Sequence, residues 1–278
     1  MAIKVVLYED PNAARDAALR FLAGDPLLNN LVLTLLAARI VDALPGRYWV
    51  AFEDGQVAGM GLQSPLDRAI ILTVMAPDVA LAMANAIGEE GRNLPGVLGE
   101  AQIAARFAGE WTERRKTGAH PVAGQRIYEA RAVYDGQEAP GTTERAGTAH
   151  QTLVCSWITA FQTEIGEPAD AVSELVERRI SAGEIWLWND DGVRSMAAVT
   201  ASALATSRVQ YVYTPPKHRR NGYAEALVRS LTRHMLSEGL RAMLFSDLAN
   251  PTPNGVYRRI GYEAVAEIIR YRFVMANP

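Results

Sequence analysis

The densest run of chemically capable residues in this 278-residue chain is Lys217-His218-Arg219-Arg220-Asn221-Gly222-Tyr223-Ala224, basic side chains followed by a glycine and a small residue. Positive charge beside a backbone that can come close to a ligand suits a polyanion such as a phosphate or pyrophosphate. The flanks give the run its meaning. Upstream, Arg208-Val209-Gln210-Tyr211-Val212-Tyr213 is mostly β-branched, aromatic or long, as a strand requires, and Thr214-Pro215-Pro216 ends it by removing two donors. Downstream, Leu227, Val228, Leu231, Met235 and Leu236 recur at helical spacing. The basic loop thus leads from a strand into a helix N-terminus, whose unpaired N–H groups and partial positive charge stabilise an anion.

Arg219, Gly222 and Ala224 fit a known pattern: Arg or Gln, two residues, Gly, one residue, then Gly or Ala. Further on, Asn250, Tyr257, Gly261 and Tyr262 fit a second one, in which Asn is followed seven residues later by Tyr and then by Gly with an aromatic. In these two segments the chain resembles the GNAT acyltransferase superfamily. Pro253 stands where that family more often has Ala or Ser, which leaves Asn250 and Asn254 as alternatives at the start of the second helix. The resemblance implies an α/β (α+β) fold in which a mixed central sheet is flanked by helices. It also implies acetyl-CoA as cosubstrate, its pyrophosphate on the loop and its pantetheine arm along the preceding strand. The binding set so implied is Val212, Tyr213, Thr214, Lys217, Arg219, Arg220, Asn221, Gly222, Tyr223, Ala224, Asn250, Asn254 and Tyr257.

Transfer of an acyl group from a thioester to an amine has three requirements. The leaving thiolate needs a proton, and the resemblance assigns this to the Tyr257 phenol as general acid. The tetrahedral oxyanion needs a donor, which a backbone N–H of Val212 or Tyr213 on a distorted strand can supply. The attacking ammonium must lose a proton, and here Glu164, Glu167, Glu184, Asp247 and water are all open; Gln210, on the strand where some family members carry a glutamate, cannot ionise. Trp157, Phe161 and Trp186 could rim an acceptor cleft or simply be core residues. The leading reading is an N-acetyltransferase acting on a small-molecule or peptide amine in a ternary complex. A non-catalytic acyl-CoA-binding regulator is the alternative. A P-loop nucleotide hydrolase is disfavoured because no Lys-Ser or Lys-Thr follows the glycine.

The elements around these residues suggest two α/β units, a divergent internal repeat: residues 1–134, a linker over 135–147 rich in Gly, Pro, Thr and charge, and 148–278. In the second part the pattern predicts helices over 150–161 and 169–181 and strands over 184–188 and 194–203 ahead of the strand and loop already described. In the first it predicts helices over 12–22 and 27–43, strands over 48–52, 57–63 and 69–75, a helix over 78–90, a strand over 96–99, a helix over 101–115 and a strand over 126–132. The place equivalent to the phosphate loop reads Ala76-Pro77-Asp78-Val79, without glycine or base and with Asp78 as an expected helix cap. On that reading the first half has lost the cosubstrate.

Composition limits the remaining options. Hydrophobic residues make up 49% of the chain, enough for two cores, and the net charge of −3 disfavours bulk binding to nucleic acid or to an anionic membrane. A single cysteine, Cys155, sits among Leu153, Val154, Trp157 and Ile158 on a predicted helix and excludes an intrachain disulfide, which suits the cytoplasm. The four histidines have no metal-ligand spacing, so no metal is expected, though His218 could assist the anion loop. Lys4 is followed at once by a strand-like run, with no secretory signal expected, and the apolar stretch from Leu27 to Leu44 is broken by Asn29, Asn30, Arg39 and Asp42. A homodimer is compatible with this picture.

Overall fold

The computed structural model describes residues 3–136, 139–167 and 171–275, leaving aside the side chains at 251, 252 and 275. The chain runs β1 (Ile3–Tyr8), α1 (Pro11–Leu22), α2 (Asn30–Val41), β2 (Arg47–Glu53), β3 (Gln56–Gln63), β4 (Ile70–Leu72), α3 (Pro77–Glu89), β5 (Gly96–Glu100), α4 (Ala101–Arg115) and β6 (Thr117–Ala130). It continues β7 (Thr142–Arg145), α5 (Gln151–Ile165), α6 (Val172–Ser181), β8 (Ile185–Asn189), β9 (Val193–Val199), β10 (Thr206–Tyr213), α7 (Tyr223–Ser237), β11 (Arg241–Asp247), α8 (Pro251–Ile260) and β12 (Tyr262–Met275). The order β-α-α-β-β-β-α-β-α-β therefore occurs twice in succession, and the mixed α/β class expected from the sequence is the one observed.

Several boundaries differ from the sequence expectation. The segment read as a linker carries β7, whose Thr142–Arg145 pair antiparallel with Asn189–Trp186 of β8. The last strand, β12, was not anticipated at all. The strand expected over 69–75 is three residues long, and the helix expected from residue 27 begins at Asn30. The expected helix over 169–181 is seen from Val172, and its first two residues, 169 and 170, lie outside the described residues.

The chain packs as two compact units, one comprising 3–127, 247–249 and 265–275, the other 128–246 and 250–264. The first unit has the strand order β1-β2-β3-β4-β5, with β12 pairing antiparallel to β5 through Ile268↔Glu100 to Arg272↔Gly96. Its core gathers Trp49, Ile70, Met83, Val97, Phe107 and Trp111 under α3 and α4. The second unit has the order β11-β10-β9-β8-β7, to which the last residues of β6, 128–130, also belong. Its sheet buries two faces. On one, α7 packs Leu227, Val228, Leu231 and Met235 with Val209 and Leu244. On the other, α5 and α6 pack Val154, Trp157, Ile158 and Val176 with Leu187, Met196 and Tyr213. These spacings are those of one helix face, which explains why each helix forms and which side it buries.

Gly261 turns α8 into β12 at φ +118°, where a Cβ would run into the Ala132 carbonyl oxygen. Only glycine fits this turn, and the Tyr134 N–H closes it by donating to the Ile260 carbonyl at 2.8 Å. No helix among the described residues is long and apolar enough to cross a membrane.

Candidate active site

The site begins where β10 stops being regular. β10 runs parallel to β11 only from Thr206↔Arg241 to Val209↔Leu244, although both strands continue beyond that pair. On its other edge β10 pairs with β9 at Gln210↔Ala198 and then at Tyr213↔Met196, so Tyr211 and Val212 together oppose a single residue. This is a β-bulge, and Tyr211 takes the left-handed φ of +51° to make it. A bulge breaks the alternation of donors and re-aims the backbone, so the distorted strand expected at Val212 and Tyr213 is present. No sequence pattern announces it.

After the bulge, Ser195 Oγ bonds the Tyr213 carbonyl at 3.0 Å and Thr214 Oγ1 at 2.8 Å, anchoring the strand end to β9. The chain then makes a short 3-10 turn at Pro216–His218 and enters α7 through Gly222. Arg220 at φ +66° and Gly222 at φ +80° are both left-handed, a backbone shape that lets successive N–H groups converge on one concavity. The α7 N-cap has no side-chain hydrogen bond, so the first-turn amides are not occupied by a cap. Asn221 Nδ2 donates to the carbonyls of His218 and Arg219, both at 3.1 Å, and shapes the loop from within. Tyr223 donates its hydroxyl to Asp190 at 2.7 Å, which raises the phenol pKa and ties the first turn of α7 to the β8–β9 turn.

Charge around this loop is mixed. Lys217, Arg219, Arg220 and Asn221 are exposed, and Ala224 is half-buried in the first turn. His218 is held below its usual pKa by burial, Arg194 and Lys217, which keeps it mostly neutral at pH 7. A cavity of about 760 Å³ opens beside Gly222, with Arg220, Asn221, Glu225, Arg229 and Arg259 in its wall. Glu225 would repel an anion, but it is engaged by Arg229 at 2.7 Å and Arg259 at 2.6 Å. Burial pushes its carboxyl pKa up, yet the two arginines outweigh this and the net shift is downward. None of these three residues stood out in the sequence.

Arg219 and Glu164 were assigned to different tasks, and the fold joins them. Arg219 Nη2 meets both carboxylate oxygens of Glu164, at 2.7 and 2.8 Å, while Nε donates to the Thr214 carbonyl at 2.8 Å. The other acids considered as bases are also engaged: Glu184 with Arg179 at 2.8 Å, and Asp247 with the Ala249 N–H at 2.8 Å. Glu167 is half-buried and its N–H donates to the Gln162 carbonyl at 2.9 Å. Gln210, with its amide oriented so that the oxygen faces Arg179, accepts from Nη1 at 2.8 Å and Nη2 at 2.7 Å. Arg179 lies over the Tyr211 ring and Arg208 over Phe245, so this face of β10 carries two guanidinium groups. Burial, and then Arg179, lower the Arg208 pKa to about 10.

The aromatic residues divide between the two faces. Trp157 packs on Tyr213 and Phe161 edge-on to Tyr211, both on the α5 face. Trp186 packs instead against His234 of α7 and beneath Arg145, so the three do not share a rim. Strand alternation from β8 sends Trp186 to the opposite face from Leu187.

Tyr257 is buried among Tyr128 and Tyr262, with ring centroids at 6.3 and 6.0 Å. Burial raises its pKa to about 12, so the phenol keeps its proton at neutral pH. Its hydroxyl has no hydrogen-bond partner among the described residues, whereas Tyr128 donates to Asn254 and Tyr262 pairs with Thr232. Asn250 precedes α8, and Asn254, in its first turn, donates from Nδ2 to the Asn250 carbonyl at 2.7 Å. The two asparagines considered as alternatives are thus partners at one helix start.

In the first unit the corresponding junction is different. α3 is capped by Ala76 without a side-chain bond, Pro77 occupies the first turn, and Asp78 lies exposed in that turn instead of capping the helix as expected. Proline removes a donor and Asp78 adds negative charge where an anion would have to bind. Among the described residues no group of His, Cys, Asp or Glu is arranged to hold a metal ion.

Residues 190–271 match the family described as FR47-like protein. No curated protein matches the sequence. Among solved structures, a GNAT-family acetyltransferase from Colwellia psychrerythraea is similar over 99% of this chain and 100% of its own, with TM-score 0.64 and 11% identity. A GCN5-related N-acetyltransferase from Sphaerobacter thermophilus is similar over 99% and 97%, with TM-score 0.62 and 14% identity. A tandem GNAT protein from the clavulanic acid biosynthesis pathway is similar over 100% and 99%, with TM-score 0.58 and 10% identity. At such identities the likeness is one of fold.

Proposed function

We propose that this chain, which has the GNAT fold, is an acyl-CoA-dependent N-acyltransferase that moves an acetyl group from acetyl-CoA to a primary amine in a ternary complex. The observation that carries this reading is the continuous path from a bulged strand end, free of its parallel neighbour after Val209, into the left-handed basic loop at Gly222. The donor set suits a diphosphate: uncapped first-turn amides of α7, a glycine without a Cβ, and Lys217 and Arg220 exposed beside them. Tyr213, Thr214, Tyr223 and Ala224 flank the same path. Arg219 would either leave Glu164 to reach the diphosphate or keep the loop in shape through that pair.

Acetyl-CoA supplies the activated thioester; the chain's own groups supply the rest. The Val212 N–H at the bulge is the donor for the oxyanion, acting from a fixed backbone that needs no reorganisation. The Tyr257 hydroxyl, protonated and unpartnered, gives its proton to the departing thiolate. The amine nitrogen bonds to the carbonyl carbon to give the tetrahedral oxyanion, whose collapse breaks the carbon–sulfur bond, and the amine's proton leaves through water or Glu164. The positive charge of Arg179 and Arg208 favours the neutral over the ammonium form of a nearby amine. Nothing in this scheme calls for a covalent enzyme intermediate, a metal, a nucleic acid or a membrane. For the first half, Pro77 and Asp78 support a supporting role without cosubstrate.

A non-catalytic acyl-CoA-binding protein is the second reading, favoured by the engagement of Glu164 with Arg219 and of Gln210 with Arg179. Calorimetric titration with acetyl-CoA, followed by a thiol-release assay over polyamines, aminoglycosides, amino acids and peptides, tests both. Binding with acceptor-dependent thiol release supports the enzyme. Binding without it supports the second reading, and no binding defeats both.

A further inference from the structure

We propose that Tyr128, which belongs by sequence to the first of the two repeated element series, is a positioning residue for the reaction and sets the Tyr257 hydroxyl. The inference rests on the reading of Tyr257 as the acid. Tyr128 closes β6, and with residues 129 and 130 it packs in the second unit. Its side chain is fully buried, and its hydroxyl donates to Asn254 Oδ1 at 3.1 Å. The Asn254 amide passes the constraint on, since its Nδ2 donates to the Asn250 carbonyl at 2.7 Å. Tyr128 therefore holds the first turn of α8, and Tyr257 stands three residues after Asn254 on the same helix.

The same ring also fixes Tyr257 directly. Tyr257 is held between Tyr128, tilted by 55°, and Tyr262, at 69°. Both neighbours are locked at their far ends, Tyr128 by Asn254 and Tyr262 by Thr232 at 2.8 Å. Of the three phenols in this cluster, only the central one has no hydrogen-bond partner among the described residues. The Tyr257 ring is buried, but its hydroxyl is not among the fully buried polar atoms without a partner, so the oxygen keeps access to solvent and to anything that binds there. Two locked rings around one unmatched hydroxyl are what a proton donor needs, because sub-ångström errors in its placement are felt in the rate.

The test is Tyr128→Phe in the full chain, which keeps the ring and removes the link to Asn254. Acetylation is followed by thiol release. We expect kcat to fall about tenfold with KM for acetyl-CoA changed less than about twofold. Thr73→Val removes a comparable buried hydroxyl bond, that of Thr73 Oγ1 to the Met60 backbone in the first unit, and should leave kcat within about twofold. Because Tyr128 acts through the Tyr257 hydroxyl, the double variant Tyr128→Phe with Tyr257→Phe should be no slower than Tyr257→Phe alone. The proposal is overturned if Tyr128→Phe leaves kcat intact, or if it slows the Tyr257→Phe enzyme by the same factor as the wild type. Equal losses from Thr73→Val and Tyr128→Phe would also overturn it, as a general effect of lowered stability. Should Tyr257→Phe itself turn over at the wild-type rate, the acid assignment falls and this inference with it; a slow Tyr257→Phe beside a normal Tyr128→Phe removes this inference alone.

Discussion

Replacing Gly222 by alanine adds one methyl group to the loop and changes no charge, so it separates the backbone's contribution from that of the surrounding bases. Gly222 sits at φ +80°, ψ −2°, where an L-residue costs about 1–2 kcal/mol. The added Cβ would meet nothing closer than Ala139 Cβ at 3.7 Å, an ordinary contact, so no overlap is added to that cost. The protein should therefore fold, with stability lowered by about 1–2 kcal/mol and a thermal midpoint down by a few degrees. Binding should suffer more. A methyl group at the mouth of the first-turn amides holds the diphosphate away from them, and each charge-assisted bond lost is worth about 1.5–3 kcal/mol. One such bond raises Kd roughly 10- to 100-fold. Denaturation and calorimetric titration with acetyl-CoA on the same preparation give both numbers. An unchanged Kd in a variant that has lost the expected stability would refute the anion cradle at Gly222, since the methyl would then stand where no ligand comes.

Two further outcomes follow from the tyrosine cluster. Tyr257→Phe should leave thermal stability nearly unchanged, because the hydroxyl has no partner to lose, while kcat falls on the order of 100-fold or more and acetyl-CoA binding changes little; equal losses in rate and in binding would show the hydroxyl to be a binding group only. The folded-state pKa of Tyr257, about 12, lies above its ordinary value of 10.0, so its contribution is complete below pH 10 and is lost as pH rises through 10 to 12. That loss is about 2–3 kcal/mol for one phenol. Denaturant titrations between pH 9 and 12 should show stability falling with pH, and falling less steeply in Tyr257→Phe; parallel slopes would mean that this phenol ionises as freely in the fold as in the unfolded chain.

The parts of the site that were legible in the sequence are those in which local chemistry and local structure coincide. The loop from Lys217 to Ala224 was readable because prolines stop a strand, glycine opens the backbone and periodic leucines start a helix, all within one short segment. α7 and β11 followed from their apolar spacing for the same reason. β7 was hidden because Thr142–Arg145 has no apolar alternation: its residues are polar or half-exposed and its partner β8 supplies the packing. β12 was hidden because Glu263, Glu267, Arg270 and Arg272 interrupt the apolar residues, and what holds the strand is its pairing with β5, about 170 residues earlier in the chain. Asp78 was misread as a cap because the cap position is decided by where the backbone leaves the β region, which is at Ala76.

From its residues alone the chain recorded local features: a basic, glycine-opened helix start, a tyrosine at 257 four residues ahead of a glycine, and two successive series of the same elements. These depend on interactions between near neighbours, which spacing records. Tertiary structure alone decided which groups face one another. It put Glu164 on Arg219, Gln210 on Arg179, and Tyr128 against Tyr257 across 129 positions of sequence, and it placed the bulge at Tyr211. Such pairings arise when distant segments compete for the same buried volume and the same unpaired donors, and that competition leaves no mark on the order of residues.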